Sequence, residues 1–260
     1  MQRRHAAILI ALAASTFASQ AQSPGWNKIR IGVEGAYPPF SEVGADGKLK
    51  GFEIDLANAY CALMKAECTL VQQDFDGLIP ALQARKFDAV MASVSITDER
   101  KKAVLFSQAY YNTPARFVGK LSANLNVSEA GLKGKTIGVQ RATIHEAFAV
   151  ATFKQSEIKH YTKQDEVYLD LSAGRIDGTL MDSVAADDGF LKTPAGKGFG
   201  FVGPAFTDKK FFGDGVGVAV RKSDAALVKK FNEAIAAHRA SGATKALADK
   251  YFAYDILPKP

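Results

Sequence analysis

Apolar and polar positions alternate along the chain in blocks that switch between the strand period and the helix period. Ile29 to Val33 is rich in β-branched residues and runs into Tyr37-Pro38-Pro39, which predicts a strand followed by a turn. From Glu53 to Ala66 the apolar residues Ile54, Ala57, Cys61 and Met64 recur at the spacing of one buried helix face. Gly77 to Ala84 predicts a second helix, and Ala89-Val90-Met91 a buried strand. Alternation of this kind predicts α/β layers around a central sheet.

The second half of the chain repeats phrases of the first. Ile31-Gly32-Val33-Glu34 is echoed by Ile137-Gly138-Val139-Gln140, and Leu82-Gln-Ala-Arg-Lys-Phe-Asp88 by Leu171-Ser-Ala-Gly-Arg-Ile-Asp177. Each of the latter then enters a short apolar strand, ending at Ser93 in one case and Asp182 in the other. The offsets between the echoes are unequal, so the pattern predicts two similarly built lobes and not a tandem solenoid. In α/β sheets ligands bind beyond the carboxyl ends of the strands. Glu34, Ser93, Gln140 and Asp182 stand at those ends, two from each half, which places the candidate site in a cleft between the lobes.

Residues 1–21 pair a cationic start, Arg3 and Arg4, with an apolar run from Ala6 to Ala14 and a small-residue ending at Ser19-Gln20-Ala21. This is the anatomy of a secretory signal peptide, with the mature chain expected to begin near Gln22. The compartment bears on the charge. The full chain carries a formal +6, from 33 basic and 27 acidic side chains; two of the basic ones leave with the leader, so the mature surplus is 4. These charges are interspersed, which argues against a nucleic-acid partner. The two cysteines, Cys61 and Cys68, form an even pair in a chain bound for an oxidising compartment, and predict a structural disulfide stapling a helix end to the next segment of chain.

Catalytic motifs are sparse. There is no Gly-x-Ser-x-Gly elbow and no His-Glu-x-x-His. Gly134-Lys135-Thr136 mimics the end of a P-loop, but position 129 is Glu where that loop needs Gly. Gly213-Asp-Gly-Val-Gly217 precedes the strand-like Val216–Val220 and does not open a helix, so it predicts a connection and not a dinucleotide site. His145, His160 and His238 are too scattered to hold a metal and are expected at the surface. No cofactor is implied. The informative stretch is Ser93-Val94-Ser95-Ile96-Thr97-Asp98-Glu99-Arg100. Thr97 followed by two acids predicts a helix start. The serines, the exposed backbone amides and the planar fork of Arg100 suit a carboxylate.

Tyr37-Pro-Pro-Phe40, Gly51-Phe-Glu-Ile-Asp-Leu56, the Cys61/Cys68 pair, Phe75-Asp-Gly-Leu-Ile-Pro80 and Ser93-x-Ser-Ile-Thr-x-x-Arg100 resemble the polar amino-acid-binding proteins of the periplasm. These are the family-3 solute-binding receptors of ABC importers, and the likeness is nearest to their lysine/arginine/ornithine and histidine branch. Gly131-Leu-Lys-Gly134, Gly174-Arg-Ile-Asp177 and Tyr251-Phe252 extend the likeness over nearly the whole mature chain. The resemblance implies a type II periplasmic-binding-protein fold: two α/β lobes, residues 22–111 with 216–260 and residues 112–215, joined by crossings near 111–114 and 211–215, with the ligand cleft between them. It implies a monomer that hands its ligand to a membrane permease. By position, Arg100, Ser95 and the backbone at Thr143-Ile144 would hold an α-carboxylate. Ser93 and Asp182 would take the α-ammonium, and Tyr37 and Phe75 would flank the side chain, with Glu34 near its end. Ala92 and Val94 belong to the same binding segment.

Three positions depart from the lysine and histidine pattern. Ala92 stands where many members carry Ser, Gln140 where some carry Leu, and Glu34 where Asp is common. Together they resemble the arginine-specific receptors, since a longer acid and an amide acceptor suit a guanidinium. Arg141, beside Gln140, is a further departure. Two alternatives share the scaffold: an opine receptor, and a periplasmic dehydratase of the prephenate or arogenate type using Glu34 or His145.

Overall fold

The protein is described by a computed structural model covering residues 25–258. The expected leader, and the expected start at Gln22, lie outside the described residues.

Two five-stranded sheets carry the chain. In the first, the strand order is Glu67–Gln72, Lys28–Val33, Ala89–Val90, Ala219–Arg221, Val104–Phe106. In the second it is Glu157–Tyr161, Thr136–Gln140, Gly178–Asp182, Ala115–Lys120, Phe199–Phe206. In both, the first three strands are parallel and the fourth runs antiparallel to its neighbours. The echo in sequence is therefore an echo in place. Ile31-Gly32-Val33 and Ile137-Gly138-Val139 lie in the second strand of their sheets, and the segments after Asp88 and Asp177 form the third.

The echoed residues have a packing reason. A Cβ at Gly32 would stand 2.7 Å from the Phe87 ring, and one at Gly138 would stand 2.5 Å from the Ile176 side chain. Each glycine thus lets the large residue before the echoed Asp lie flat against the strand. That Asp then ties the strands together. Asp88 accepts the backbone N–H of Arg30 at 3.0 Å, and Asp177 accepts that of Thr136 at 2.9 Å.

The helix over Phe52–Leu63 buries Ile54, Leu56, Ala57, Tyr60 and Cys61. It stops short of the expected Ala66, because Lys65 turns into the left-handed region at φ 53°. The second expected helix is a 3₁₀ turn, Phe75–Gly77, running into Leu78–Gln83. Cys61 and Cys68 are bonded, with Cα atoms 6.1 Å apart, and staple the first helix to the edge strand Glu67–Gln72. Thr97 starts the one-turn helix Asp98–Lys101 by accepting the Arg100 backbone N–H.

The chain passes from the first sheet to the second between Phe106 and Ala115, and returns between Phe206 and Ala219. The two passages touch where Tyr111 pairs with Val216, which also pairs with Ser95. The strand expected over Val216–Val220 is shorter and later, Ala219–Arg221, because Val216 is engaged with these crossings and not with the sheet. The C-terminal segment closes over them, as the Asn112 N–H donates to the Ile256 carbonyl at 2.8 Å.

Candidate functional site

Both sheets aim the carboxyl ends of their parallel strands at the gap between the lobes. Glu34 follows Lys28–Val33, Ser93 follows Ala89–Val90, and Gln140 and Asp182 end their own strands. The cavity between them has about 590 Å³ of space, including its open mouth. Of the residues expected at the site, Glu34, Tyr37, Phe75, Ser93, Ser95, Arg100, Gln140, Thr143, Ile144 and Asp182 line it. Ala92 and Val94 do not. Their side chains turn the other way, into the core of the first lobe with Leu82 and Phe87.

Arg100 makes the first direct link between the lobes. Its Nη1 donates to the Ser95 carbonyl at 3.1 Å in its own lobe, and its Nη2 to the Ala142 carbonyl at 3.0 Å in the other. Its guanidinium also sits 5.6 Å from the centre of the Phe75 ring. Two of its five N–H groups are so engaged, and three stay available. Burial pulls its pKa down to about 10, so it keeps its charge at neutral pH.

Gln140 and Glu34 make the second link. The Gln140 Nε2 donates to Glu34 Oε1 at 2.5 Å and to the Thr162 carbonyl at 3.1 Å. Both amide protons are thus used, and the Gln140 Oε1 remains an acceptor. Burial pushes the Glu34 carboxyl up to about 7; the Gln140 bond opposes this, and the charges of Glu53, Asp74 and Asp165 reinforce it. At the rim, Lys163 of the second lobe lies 3.7 Å from Asp74 of the first.

Asp182 is held as a cap. Its Oδ1 accepts the N–H groups of Val184 and Ala185 at 2.8 and 3.1 Å, and its Oδ2 accepts the Thr113 hydroxyl. Burial still raises its pKa above the ordinary carboxylate value, against those three donors. Thr143 caps the helix Ile144–Thr152 by accepting the Glu146 N–H, while its own hydroxyl donates to the Gln140 carbonyl at 2.7 Å. The first turn of that helix, Ile144 and His145, therefore faces the cavity, where helix-end amides favour an anion.

The structure corrects a second expectation and adds residues. His145 is not at the surface: it is buried in the cavity wall, its ring 6.2 Å from that of Phe212. Desolvation, with the Arg100 charge adding to it, lowers its pKa to about 3, so the imidazole is neutral. His160 is exposed and bonds Glu146, and His238 is half-buried against Thr244. Arg141 is exposed beside the strand end. Tyr111, Asn112, Thr113, Phe212 and Val216 also line the cavity from the crossings, and no local sequence signal marks them.

The chain matches the bacterial extracellular solute-binding proteins, family 3, over residues 29–254. It belongs to that family. It is 54% identical over 230 residues to an L-arginine-binding protein of Pseudomonas aeruginosa, covering 88% of this chain and 89% of the relative. It is 42% identical over 249 residues to a lysine/arginine/ornithine-binding periplasmic protein of Escherichia coli, covering 95% and 94%. Among solved structures, it resembles a periplasmic binding protein of Salmonella typhimurium described for high arginine specificity, with a TM-score of 0.81 and 33% identity over 87% of this chain and 99% of that one. This solute-binding protein thus has the two-lobed α/β fold of the amino-acid-binding members.

Proposed function

We propose that this solute-binding protein is a periplasmic receptor that captures a cationic L-amino acid, arginine before lysine, ornithine or histidine, and delivers it to an ABC transporter permease. The observation that carries the reading is the charge pattern of the cavity. Glu34, Asp182 and Arg100 line it together, two acids against one base, which complements a zwitterion with one further positive charge. A ligand α-carboxylate would take the free N–H groups of Arg100 and the first-turn amides of Ile144–Thr152. The α-ammonium would take the remaining lone pairs of Asp182 and those of Ser93. Tyr37 and Phe75 would hold the methylene chain by apolar contact and ring stacking, and Glu34 would meet the distal cation. Burying a zwitterion is favourable only when both charges are paired.

The Gln140 amide supports arginine over lysine. With its protons spent on Glu34 and Thr162, its oxygen and the Glu34 carboxylate offer adjacent acceptors, which match a guanidinium fork better than an ammonium point charge. Because contacts come from both lobes, ligand would favour the closed arrangement over an open one through a hinge at the two crossings. Residues 22–111 with 216–260, and 112–215, would then move as units. No covalent chemistry is part of this reading.

Calorimetry with the common amino acids, on protein unfolded and refolded to strip carried-over ligand, tests it. Binding of arginine, and weaker binding of lysine, ornithine and histidine, is expected. The dehydratase alternative draws on His145 and Glu34, which share the cavity. Turnover of prephenate or arogenate at enzymatic rates would overturn the receptor reading, and tight binding of arginine opines with none of arginine would shift it to that class.

A further inference from the structure

Behind Ser93 lies a carboxylate that does not line the cavity. Glu53, in the first turn of the helix Phe52–Leu63, is fully buried. Its Oε1 accepts the Ser93 backbone N–H at 2.8 Å and the Tyr110 hydroxyl; its Oε2 accepts the Ser93 hydroxyl at 2.9 Å. Tyr110 is itself fully buried. Ser93 stands in the left-handed region at φ 56°, uncommon for a residue with a Cβ. Its two bonds to Glu53 hold it there.

A serine hydroxyl has one proton and two lone pairs. With that proton committed to Glu53, Ser93 turns only lone pairs toward the cavity it lines. Asp182, when ionised, is likewise an acceptor only. The place where Ser93 and Asp182 meet a ligand is therefore bounded by acceptors on both sides. An ammonium group, all donor, satisfies both. A hydroxyl in its place has one proton for two acceptors and leaves one of them facing a lone pair.

We infer that Glu53 is a positioning residue that fixes the hydrogen-bond polarity of Ser93, and so makes the pocket select α-amino acids over α-hydroxy acids of the same side chain. The inference rests on the receptor reading above. It predicts that replacing the buried carboxylate with an amide reverses Ser93. In Glu53→Gln the new NH₂ donates to the Ser93 oxygen, and the hydroxyl proton turns into the cavity, where it repels an ammonium and suits a hydroxyl.

The test compares arginine with argininic acid, in which a hydroxyl replaces the α-ammonium, by calorimetry on wild type, Glu53→Gln and Ser93→Ala. Wild type should prefer arginine by at least about a hundredfold, as a site built around one hydrogen-bonding pattern rejects an analogue that breaks it. In Glu53→Gln the preference should shrink about tenfold or more, with argininic acid bound as well as before or better. Ser93→Ala removes the lone pairs together with the hydroxyl that donates to Glu53 Oε2, while the Ser93 backbone N–H and the Tyr110 hydroxyl still bond the carboxylate, and it should shrink the preference too. A purely structural role for Glu53 would weaken both ligands equally. A preference unchanged within about twofold in either variant, while wild type binds arginine, overturns the inference and leaves the receptor reading standing. Wild type that binds no cationic amino acid removes both. If Glu53→Gln does not fold, Ser93→Ala alone decides.

Discussion

Removing Arg100 gives the sharpest test of how the cavity holds its ligand. The side chain donates to two backbone carbonyls, one in each lobe, and retains three N–H groups at a cavity whose other charged lining residues are Glu34 and Asp182. In Arg100→Ala a bound carboxylate would lose a bidentate, charge-assisted pair. Two hydrogen bonds to a charged group, at about 1.5–3 kcal/mol each, put the loss at roughly 3–5 kcal/mol. That is about a hundred- to several-thousand-fold in Kd. The loss should be the same for arginine, lysine and histidine, because all present the same carboxylate to this residue. Arg100→Lys restores the charge but not the fork, and should recover only part of the affinity. The fold should survive: Arg100 is half-buried at a one-turn helix and its substitution leaves no buried acid newly unpaired in the first lobe. Calorimetry on refolded, ligand-stripped protein, with the unfolding transition as a control for folding, measures both effects. Binding by Arg100→Ala within about fivefold of wild type, or a loss confined to one amino acid, would refute the assignment.

Four further outcomes are expected. Glu34→Gln should weaken arginine and lysine by roughly 2–4 kcal/mol, a charged-pair loss, and spare neutral glutamine; equal losses for both classes, read by calorimetry, would take Glu34 out of the specificity pocket. Arginine affinity should depend on pH through the same carboxyl. Its pKa stands near 7, and a cation paired with it favours the ionised form, so affinity should be full above about pH 8 and fall as pH drops through 7. Binding near pH 6 should release a proton, seen as a buffer-dependent enthalpy that Glu34→Gln abolishes, and a flat profile in wild type would count against it. Replacing both Cys61 and Cys68 with Ser should lower stability to denaturant by about 2.5 kcal/mol, from the short loop the bridge closes, while leaving arginine binding intact. Arg221 is buried and donates to the Leu82 and Phe87 carbonyls and to Asp88, so Arg221→Ala should cost about 3–5 kcal/mol in the same unfolding experiment; a change below about 1 kcal/mol would show that the network contributes little.

Much of the architecture is legible in the chain because it rests on local spacing. The strand at Lys28–Val33, the helix at Phe52–Leu63 and the start at Thr97 arise from periodicity and capping, which act over one or two turns. The echo of Ile31-Gly32-Val33 at Ile137-Gly138-Val139 announces equivalent strands because each glycine admits the same kind of neighbour and each following Asp makes the same backbone bond. Glu53 carries a signal that is easy to pass over. It lies on the apolar stripe with Ala57, Tyr60 and Cys61, and an acid there must have buried partners.

What those partners are, only the tertiary structure decides. Ser93 and Tyr110 are distant from Glu53 in the chain, and nothing in their own neighbourhoods names the acid they bind. The same holds for His145, expected at the surface as an isolated histidine but buried in the cavity wall beside Phe212. Ala92 and Val94 share a segment with Ser93 and Ser95, yet about the bend at Ser93 one pair packs into the core and the other lines the cavity. Glu34 and Gln140 are recognisable one at a time as strand-end polar residues. That they meet at 2.5 Å, one from each lobe, depends on how two separately built sheets face each other, and the chain records such a distance at neither position.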